Sequence, residues 1–453
     1  MIADSPQGST TRVLTRLLGP AMAFPSYRVF WFGTLASVCG FQVLNFAQFW
    51  VVHRLTGDPL FLGWVGLANA VPAIVLNLFG GVLADRVERR KLIAVTQTVN
   101  GFIILVLAAV TFTGIVQAWH VILLAFFAGA VNAFDQPARM ALYPILIDRS
   151  VMMNAVSLNS AIWTGTRIIA PALAGLIITV VGEGFSFLLS AIGFFILAMV
   201  VVRLKVPDGV KPERLQRKSR SDLLEGIKFI LGNSIFTFLI AITFFNSFFG
   251  MSVIPMMPVF AVDILKVGAD GQGVMMGVGG VGAFAMTLVL GRMGNLRYRG
   301  MMIVVGSAVF GLALALLAIS SKQLGNYPLA VFFMFVKGAF SSVYKISIMS
   351  SLQLMVPDHM RGRVMGFYGM TWSIMPLGAM YTGALAKVFA DAGEGVPFAV
   401  AIGGILVTLF AVGPVVMSKG IRSLDAIIEE RQKMRESTAV SYTHLTLPTI
   451  LLV

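Results

Sequence analysis

Apolar residues run through this chain in long unbroken stretches, parted by short polar connections. Twelve stretches stand out: residues 29–53, 60–84, 92–116, 119–138, 154–181, 184–204, 233–257, 272–293, 300–321, 326–346, 364–388 and 396–418. A helix needs ~20 mostly apolar residues to cross ~30 Å of hydrocarbon, and each stretch meets that length. None alternates with the period of two that a lipid-facing barrel strand requires. Lipid offers the backbone no hydrogen-bond partners, so the pattern predicts twelve transmembrane helices. Glycine and proline recur within them, as they do in other membrane helices.

Composition narrows the class. Hydrophobic residues make up 57% and charged residues 12%, with a mean hydropathy of +0.87. Soluble domains carry about 25% charged residues, so these figures exclude a soluble enzyme, a disordered chain and a fibrous protein. The net charge of +14 has two readings, a nucleic-acid partner or the orientation of the chain. With the amino terminus placed inside, 28 of the 34 lysines and arginines fall in inner segments. Arg54, Lys266, Lys322 and Lys387 fall outside, and Arg167 and Lys337 fall within spans. This asymmetry is a positive-inside signal. It accounts for the basic excess without nucleic acid and places both termini on the cytoplasmic side of a membrane that the chain crosses many times. Cys39 is the single cysteine and the four histidines are scattered, so no disulfide framework, metal cluster or cofactor is expected. Residues 1–24 show no cleavable signal peptide.

The chain also repeats itself. GGVLADRVERRKL (80–92) joins spans two and three, and GRMGNLRYRGM (291–301) joins spans eight and nine, with Gly81 and Gly291 at an offset of 210. Trp163 and Trp372 follow at 209, and Gly175 and Gly383 at 208. Matched connections at one offset predict two six-helix halves related by an axis along the membrane normal. The halves are expected at 1–204 and 233–420, with a linker at 205–232 and a cytoplasmic tail at 421–439. Residues 205–220 are polar and basic. Residues 221–233 are either an amphipathic helix lying on the inner leaflet or a simple loop.

These residues resemble the major facilitator superfamily. Its signature between spans two and three, G-x-x-x-D-R-x-G-x-R-K, is met by Gly81, Asp85, Arg86, Arg90 and Lys91, with Glu88 where the family often has glycine. NAFDQPAR (132–139) and PDHMRGRVMG (357–366) resemble the bacterial branch that contains the enterobactin exporter and macrolide efflux proteins. The resemblance implies a twelve-helix transporter working by alternating access. It implies further that Asp85 latches the halves in the outward-facing state by meeting the start of span eleven near Arg361 and Gly362, where a helix dipole favours an acidic group. The alternative is that the cations of this loop only set topology.

Ionisable groups inside a membrane are costly and are functional candidates. Lys337 lies about 16 Å into span ten at 1.5 Å per residue, with no charge nearby on its own span. Either it faces the cavity between the halves, where it binds an anionic group or sheds a proton, or carbonyls and water wrap it for structure. Arg167 precedes Pro171 by four residues in TRIIAPALAG, a partial match to the Gly-Pro motif of family antiporters. It either lines the cavity or donates to carbonyls freed by the bend. Gln42, Asn45 and Gln48 share one face of span one, and Asn246 lies at comparable depth in span seven. A cavity wall is one reading of such amides, and interhelical hydrogen bonding is the other. Trp163 and Trp372 are candidates to line an apolar site. Asp135, near the inner end of span four beside Asn132, is the acidic residue closest to a span interior. If transport is coupled to protons, Asp135 or Lys337 must serve. No nucleophile–base set, Walker loop or HExxH occurs, so no catalytic residue is expected and the chain is not read as an enzyme.

VSYTHLTLPT (440–449) resembles the translation of a transposon-based sequencing adapter, and 440–453 is set aside as an assembly scar. The expectation is a monomeric secondary transporter exporting a small amphipathic compound, siderophore or drug-like, by proton antiport. Import or flipping of another solute such as a lysophospholipid remains open, as does a non-transporting scaffold or sensor on the same fold.

Overall fold

The computed structural model describes residues 9–204, 220–293, 298–390, 395–417, 425–427 and 430. Within them the side chains of 9–12, 77–86, 220–224, 358–359, 372 and 415–417 lie outside the description. The described residues form sixteen α-helices and no strand. In chain order they are α1 (Ser9–Leu18), α2 (Pro25–Thr56), α3 (Pro59–Arg86), α4 (Arg89–Phe112), α5 (Ala118–Leu142), α6 (Met152–Val181), α7 (Glu183–Arg203) and α8 (Arg220–Leu231). They continue with α9 (Ser234–Phe245), α10 (Val253–Val259), α11 (Gly268–Arg292), α12 (Arg299–Leu324), α13 (Tyr327–Met355), α14 (Asp358–Met370), α15 (Met375–Val388) and α16 (Gly395–Met417).

Local chemistry sets the ends of these helices. Pro25 opens α2 at a position where a missing N–H costs nothing, and Gly57 closes it in the left-handed conformation at φ 61°. Asn233 caps α9 by accepting from the Ile235 N–H at 3.0 Å, and Asn326 caps α13 by accepting from the Leu329 N–H at 2.9 Å. Side chains such as Phe102, Leu176 and Leu409 stand exposed on the outside of the bundle. In water such a surface would be an aggregation hazard; in lipid it is the solvent contact.

Eleven helical runs among the described residues are long and apolar enough to cross a membrane. The twelfth expected span, 364–388, is divided: α14 ends at Met370, a 3₁₀ turn covers Thr371–Ile374, and α15 restarts with Pro376 in its first turn. Proline cannot donate to the preceding turn, so the break falls there. Span seven is longer than expected. It runs to Ile264 through α9, a π turn at Asn246–Gly250, α10 and a second π turn at Phe260–Ile264. Pro255 and Pro258 each remove a backbone donor in this stretch. Residues 221–231 are helical, as one reading of the linker required, and α8 packs on α14, where Glu225 pairs with Arg363 at 2.9 Å. The rest of the linker, 205–219, and the terminal 440–453 lie outside the described residues.

The helices form two six-helix halves. In the first, α3 packs on α5, α4 on α7, and α2 on both α6 and α7. In the second, α12 packs on α13 and α16, and α11 packs on α13. The principal contacts between halves are α6 with α11 and α15 with α3. The repeat explains this pair of contacts, because α6 matches α15 and α11 matches α3. Gly175 and Gly383, equivalent in the repeat, do the same work. A Cβ on Gly175 would strike the backbone of Ala269 on α11, and a Cβ on Gly383 would strike the backbone of Pro59 and Leu60 on α3. Small residues let membrane helices approach this closely. Gly383→Val is therefore expected to destabilise the fold by about 1–3 kcal/mol, read as a lower thermal midpoint in detergent. An unchanged midpoint would show that α15 and α3 do not depend on this contact.

Candidate functional site

The two faces of the bundle differ. One, the basic face, carries the α3–α4 turn, the α5–α6 connection and α8. At the other the halves are joined. His53 of α2 meets Asp263, with Nε2 3.2 Å from Oδ2. Lys387 of α15 donates to Asp58 at 3.1 Å, while the same carboxylate caps α3 by accepting from the Leu60 N–H at 2.9 Å. His53 and Asp263 are 210 residues apart, the offset of the repeat. Equivalent positions in two halves can meet only on the axis that relates them, so this pair marks the axis at its closed end. Lys387→Gln removes a pair that is partly exposed and worth about 0.2–1 kcal/mol. The population open at this face should rise roughly 1.4- to fivefold, read by fluorophore distances across the halves; no change would make the pair a bystander.

Toward the basic face the halves part. Gly273, Gly277 and Gly280 of α11 lie against Pro171, Ile168 and the Arg167 carbonyl of α6, and the sequence of contacts stops there. Further along, Gly165 of α6 and Gly291 of α11 have no neighbour within 4 Å of an added Cβ. The Arg167 carbonyl is the α6 group nearest the basic face that these α11 glycines meet. The Arg167 side chain is accessible yet has protein on nearly all sides, as expected in a cleft.

Lys337 lies at the same level on the other side of α11. Gly279 and Gly282 of α11 abut the backbone of Met334 and Phe335, and Gly338 abuts Gly279. Lys337 is 7% exposed, and no described residue gives it a hydrogen bond or ion pair. The helix of Lys337 carries a second cation, Lys345. The expected span ten ended at 346, which placed Lys345 at the inner connection; α13 in fact runs to Met355, so Lys345 lies more than two turns inside the helix. Its Nζ is 5.7 Å from the Tyr344 ring centroid. Neither α6 nor α13 contains an acidic residue, and α11 has one, Asp270, in its first turn at the joined face.

Asp135 stands in a separate network. It is fully buried on α5. Its Oδ1 accepts from Thr96 at 2.9 Å and from Gln97 at 2.8 Å, and its Oδ2 pairs with Arg139 one turn on. Ser37 of α2 donates to Gln97 at 2.8 Å. The expected span four stopped at 138 and left Arg139 in a connection; α5 continues to Leu142, and Arg139 is mostly buried. The i, i+4 spacing of Asp135 and Arg139 was the signal in the sequence for this pair. Arg139 and Trp163 line one small pocket with Thr34, Gln136, Tyr143 and Asn159, toward the basic face.

The remaining candidates divide. Gln42 is half-buried and Gln48 buried, neither with a hydrogen bond among the described residues, while Asn45 donates to the Phe41 carbonyl at 2.8 Å. The Phe41 ring meets Trp163 edge-on at 6.2 Å. Asn246 is not on a cavity wall: it is fully buried and donates to Ser307 of α12 at 3.0 Å, an interhelical bond. Asn132 likewise accepts from Asn100 at 3.1 Å. The side chains of Asp85, Arg86 and Trp372, and the surroundings of Gly81, lie outside the described residues, and with them the latch to Arg361. Gly362 is exposed with open space around it. In the same loop Glu88 pairs with Lys91 at 2.9 Å and Arg90 at 3.1 Å. The hydrogen bond from Lys91, followed by the two positive charges, holds its carboxyl below the usual range. Arg90 also donates to the Leu204 carbonyl at the end of α7 at 2.8 Å, a use of cations that suits a helix C-terminus.

Comparison with known proteins follows this geometry. Residues 19–444 match the family described as transmembrane secretion effector. The chain is 27% identical over 347 residues to the staphyloferrin A transporter of Staphylococcus aureus, covering 75% of this chain and 84% of that one. It is 23% identical over 373 residues to macrolide efflux protein A of Streptococcus pyogenes, covering 80% and 88%. It is 24% identical over 347 residues to the enterobactin exporter of Shigella flexneri, covering 76% and 80%. Among solved structures, a point mutant of the nucleoside transporter NupG superposes with a TM-score of 0.68 at 16% identity, covering 87% of this chain and 100% of that one. A bacterial homologue of the lysosomal transporter Spinster, inward-facing and unoccupied, gives 0.65 at 12% identity, covering 90% and 98%.

Proposed function

The chain belongs to the transmembrane secretion effector family of the major facilitator superfamily, and from that premise we propose that it exports a small amphipathic anion, of the siderophore type, by alternating access. The observation that carries this reading is the placement of Arg167 and Lys337 at one level on either side of α11, from opposite halves, with no carboxylate on the helices that bear them. A buried cation without a protein partner is expensive, and the anion that offsets it is then the substrate. Binding between the halves is also where alternating access requires the substrate to sit. The basic face is the cytoplasmic one by the positive-inside rule. The structure is joined at the far face and parted at the cytoplasmic one, the state in which an exporter loads. The chain spans the bacterial inner membrane with both termini in the cytoplasm and works as a monomer, because one chain supplies both halves.

Proton antiport supplies the driving force. Asp135 is the one carboxylate described deep in the first half, and Arg139 is placed to hold or release it. Competition binding to the purified protein tests the charge of the substrate. Anionic siderophores should displace a bound aromatic sulfonate, and lipophilic cations such as tetraphenylphosphonium should not. Displacement by cations alone would overturn the reading.

A further inference from the structure

Helices α2, α5 and α6 border a small pocket in the first half, toward the basic face. Its polar lining lacks protein partners. Thr34 is 6% exposed, and its hydroxyl has no hydrogen bond. Three other buried threonines, Thr166, Thr243 and Thr382, return that hydroxyl to the carbonyl four residues back at 2.8, 2.8 and 2.9 Å. Thr34 does not. Gln136, Asn159 and the indole N–H of Trp163 line the same pocket, and none of these groups has a hydrogen bond among the described residues. A buried hydroxyl is nearly always satisfied. Unpaired polar groups from three helices around one space are the mark of a site that receives a ligand's polar atoms. Arg139 lines the pocket too, but its charge is matched by Asp135. The lining is therefore neutral and suits an uncharged group, because a second anion would be buried without a free counter-charge. Trp163 and Arg167 are four residues apart on α6, hence on one face and about 6 Å apart along its axis. Because α6 starts at the basic face, Trp163 precedes Arg167 on the way in.

We propose that this pocket is a second subsite for the exported compound, taking an uncharged carboxamide while the anionic group of the same molecule reaches Arg167. This rests on the reading of the protein as an anion exporter. It adds a substrate class, an anion that bears an amide about one helical turn from its charge. Thr34 and Asn159 set the specificity. A hydroxyl and a side-chain amide each donate and accept, which matches the N–H and C=O of a carboxamide. Apolar side chains of α2 and α5 complete the walls. A site built to hydrogen-bond its ligand rejects the analogue that cannot, because its own polar groups are then left unpaired. An alkyl group of the same size is therefore disfavoured here.

Isothermal titration of the purified protein with matched probes tests this. 4-Acetamidobenzenesulfonate and 4-propylbenzenesulfonate share an anion and a ring and differ in the amide. The first should bind about tenfold more tightly. In the double variant Thr34→Val with Asn159→Leu, which keeps the side-chain shapes, that preference should vanish. The thermal midpoint of Thr34→Val alone should hold or rise, since an unsatisfied buried hydroxyl gives way to an apolar group of its shape. Equal affinity for the two probes in the parent would overturn the subsite. So would a preference that survives in the double variant, or a lowered midpoint in Thr34→Val, which would give the hydroxyl a structural role. In those cases binding of both sulfonates would leave the exporter reading standing. If neither sulfonate binds, the anion reading fails, and uncharged acetanilide decides the pocket. Acetanilide bound by the parent and not by the double variant would support the subsite; binding to both or to neither would overturn it.

Discussion

Lys337→Met is expected to lower anion transport by about 10- to 100-fold while leaving the protein folded and no less stable. The two halves of this expectation come from one fact: the ammonium is buried and no described residue pairs with it. Replacing a buried charge by an apolar side chain of similar volume is often neutral or stabilising by about 1–4 kcal/mol, so the thermal midpoint should hold or rise. A hydrogen bond to a charged group is worth about 1.5–3 kcal/mol, and each 1.4 kcal/mol is about tenfold in affinity, which sets the loss. The pairing of a gain in stability with a loss of transport separates a binding lysine from a structural one. A scaffold or sensor on the same fold would tolerate the change. Transport near the parent level, with stability lowered, would mean that Lys337 holds the helices together rather than the substrate.

Asp135→Ala should act in the opposite way, on the fold. Removing one partner of a buried ion pair leaves the other uncompensated, at about 3–5 kcal/mol, and here it also strips acceptors from Thr96 and Gln97. Most of the protein should fail to reach the membrane in a folded form. The double variant Asp135→Ala with Arg139→Leu removes the stranded guanidinium and should recover much of the loss, measured as the folded yield by fluorescence size-exclusion chromatography. Asp135→Asn keeps the side-chain shape and an acceptor, so it isolates the proton question. Exchange should persist but lose its dependence on a pH gradient. If Asp135→Asn transports with the gradient dependence of the parent, the coupling proton binds elsewhere.

The fold was largely legible because hydrocarbon demands what a sequence displays openly, an unbroken apolar run. What escaped was polarity inside helices. The second half of α13 contains Ser341, Ser342, Ser347, Ser350 and Ser351, and by hydropathy such a stretch resembles a connection. A helix can carry them, because some hydroxyls satisfy themselves on backbone: Ser341 donates to the Gly338 carbonyl at 2.7 Å and Ser342 to the Ala283 carbonyl of α11 at 2.9 Å. Ending the span early left Lys345 at a connection rather than inside α13. Pro137 had the same effect on α5, because a proline near the end of an apolar run looks like a stop, and Arg139 was lost with it. The break at Thr371–Ile374 was hidden because apolar residues continue on both sides of it, and a proline such as Pro376 is tolerated within membrane helices. For Asn246 the sequence left a cavity wall and an interhelical bond both open, because depth can be counted along a chain and rotation about the helix cannot when both faces are apolar; the structure shows the bond, to Ser307. The pairing of His53 with Asp263 was available from the repeat offset of 210, had equivalent positions near the axis been compared.

The central claim, anion export driven by proton exchange, is tested most directly in proteoliposomes made with an acidic lumen. An anionic siderophore added outside should accumulate inside while the gradient lasts, and should leak away when nigericin dissipates it. Ethidium should not accumulate, and Lys337→Met should abolish the siderophore signal. Accumulation of ethidium with none of the siderophore, or accumulation of either indifferent to the gradient, would contradict the account.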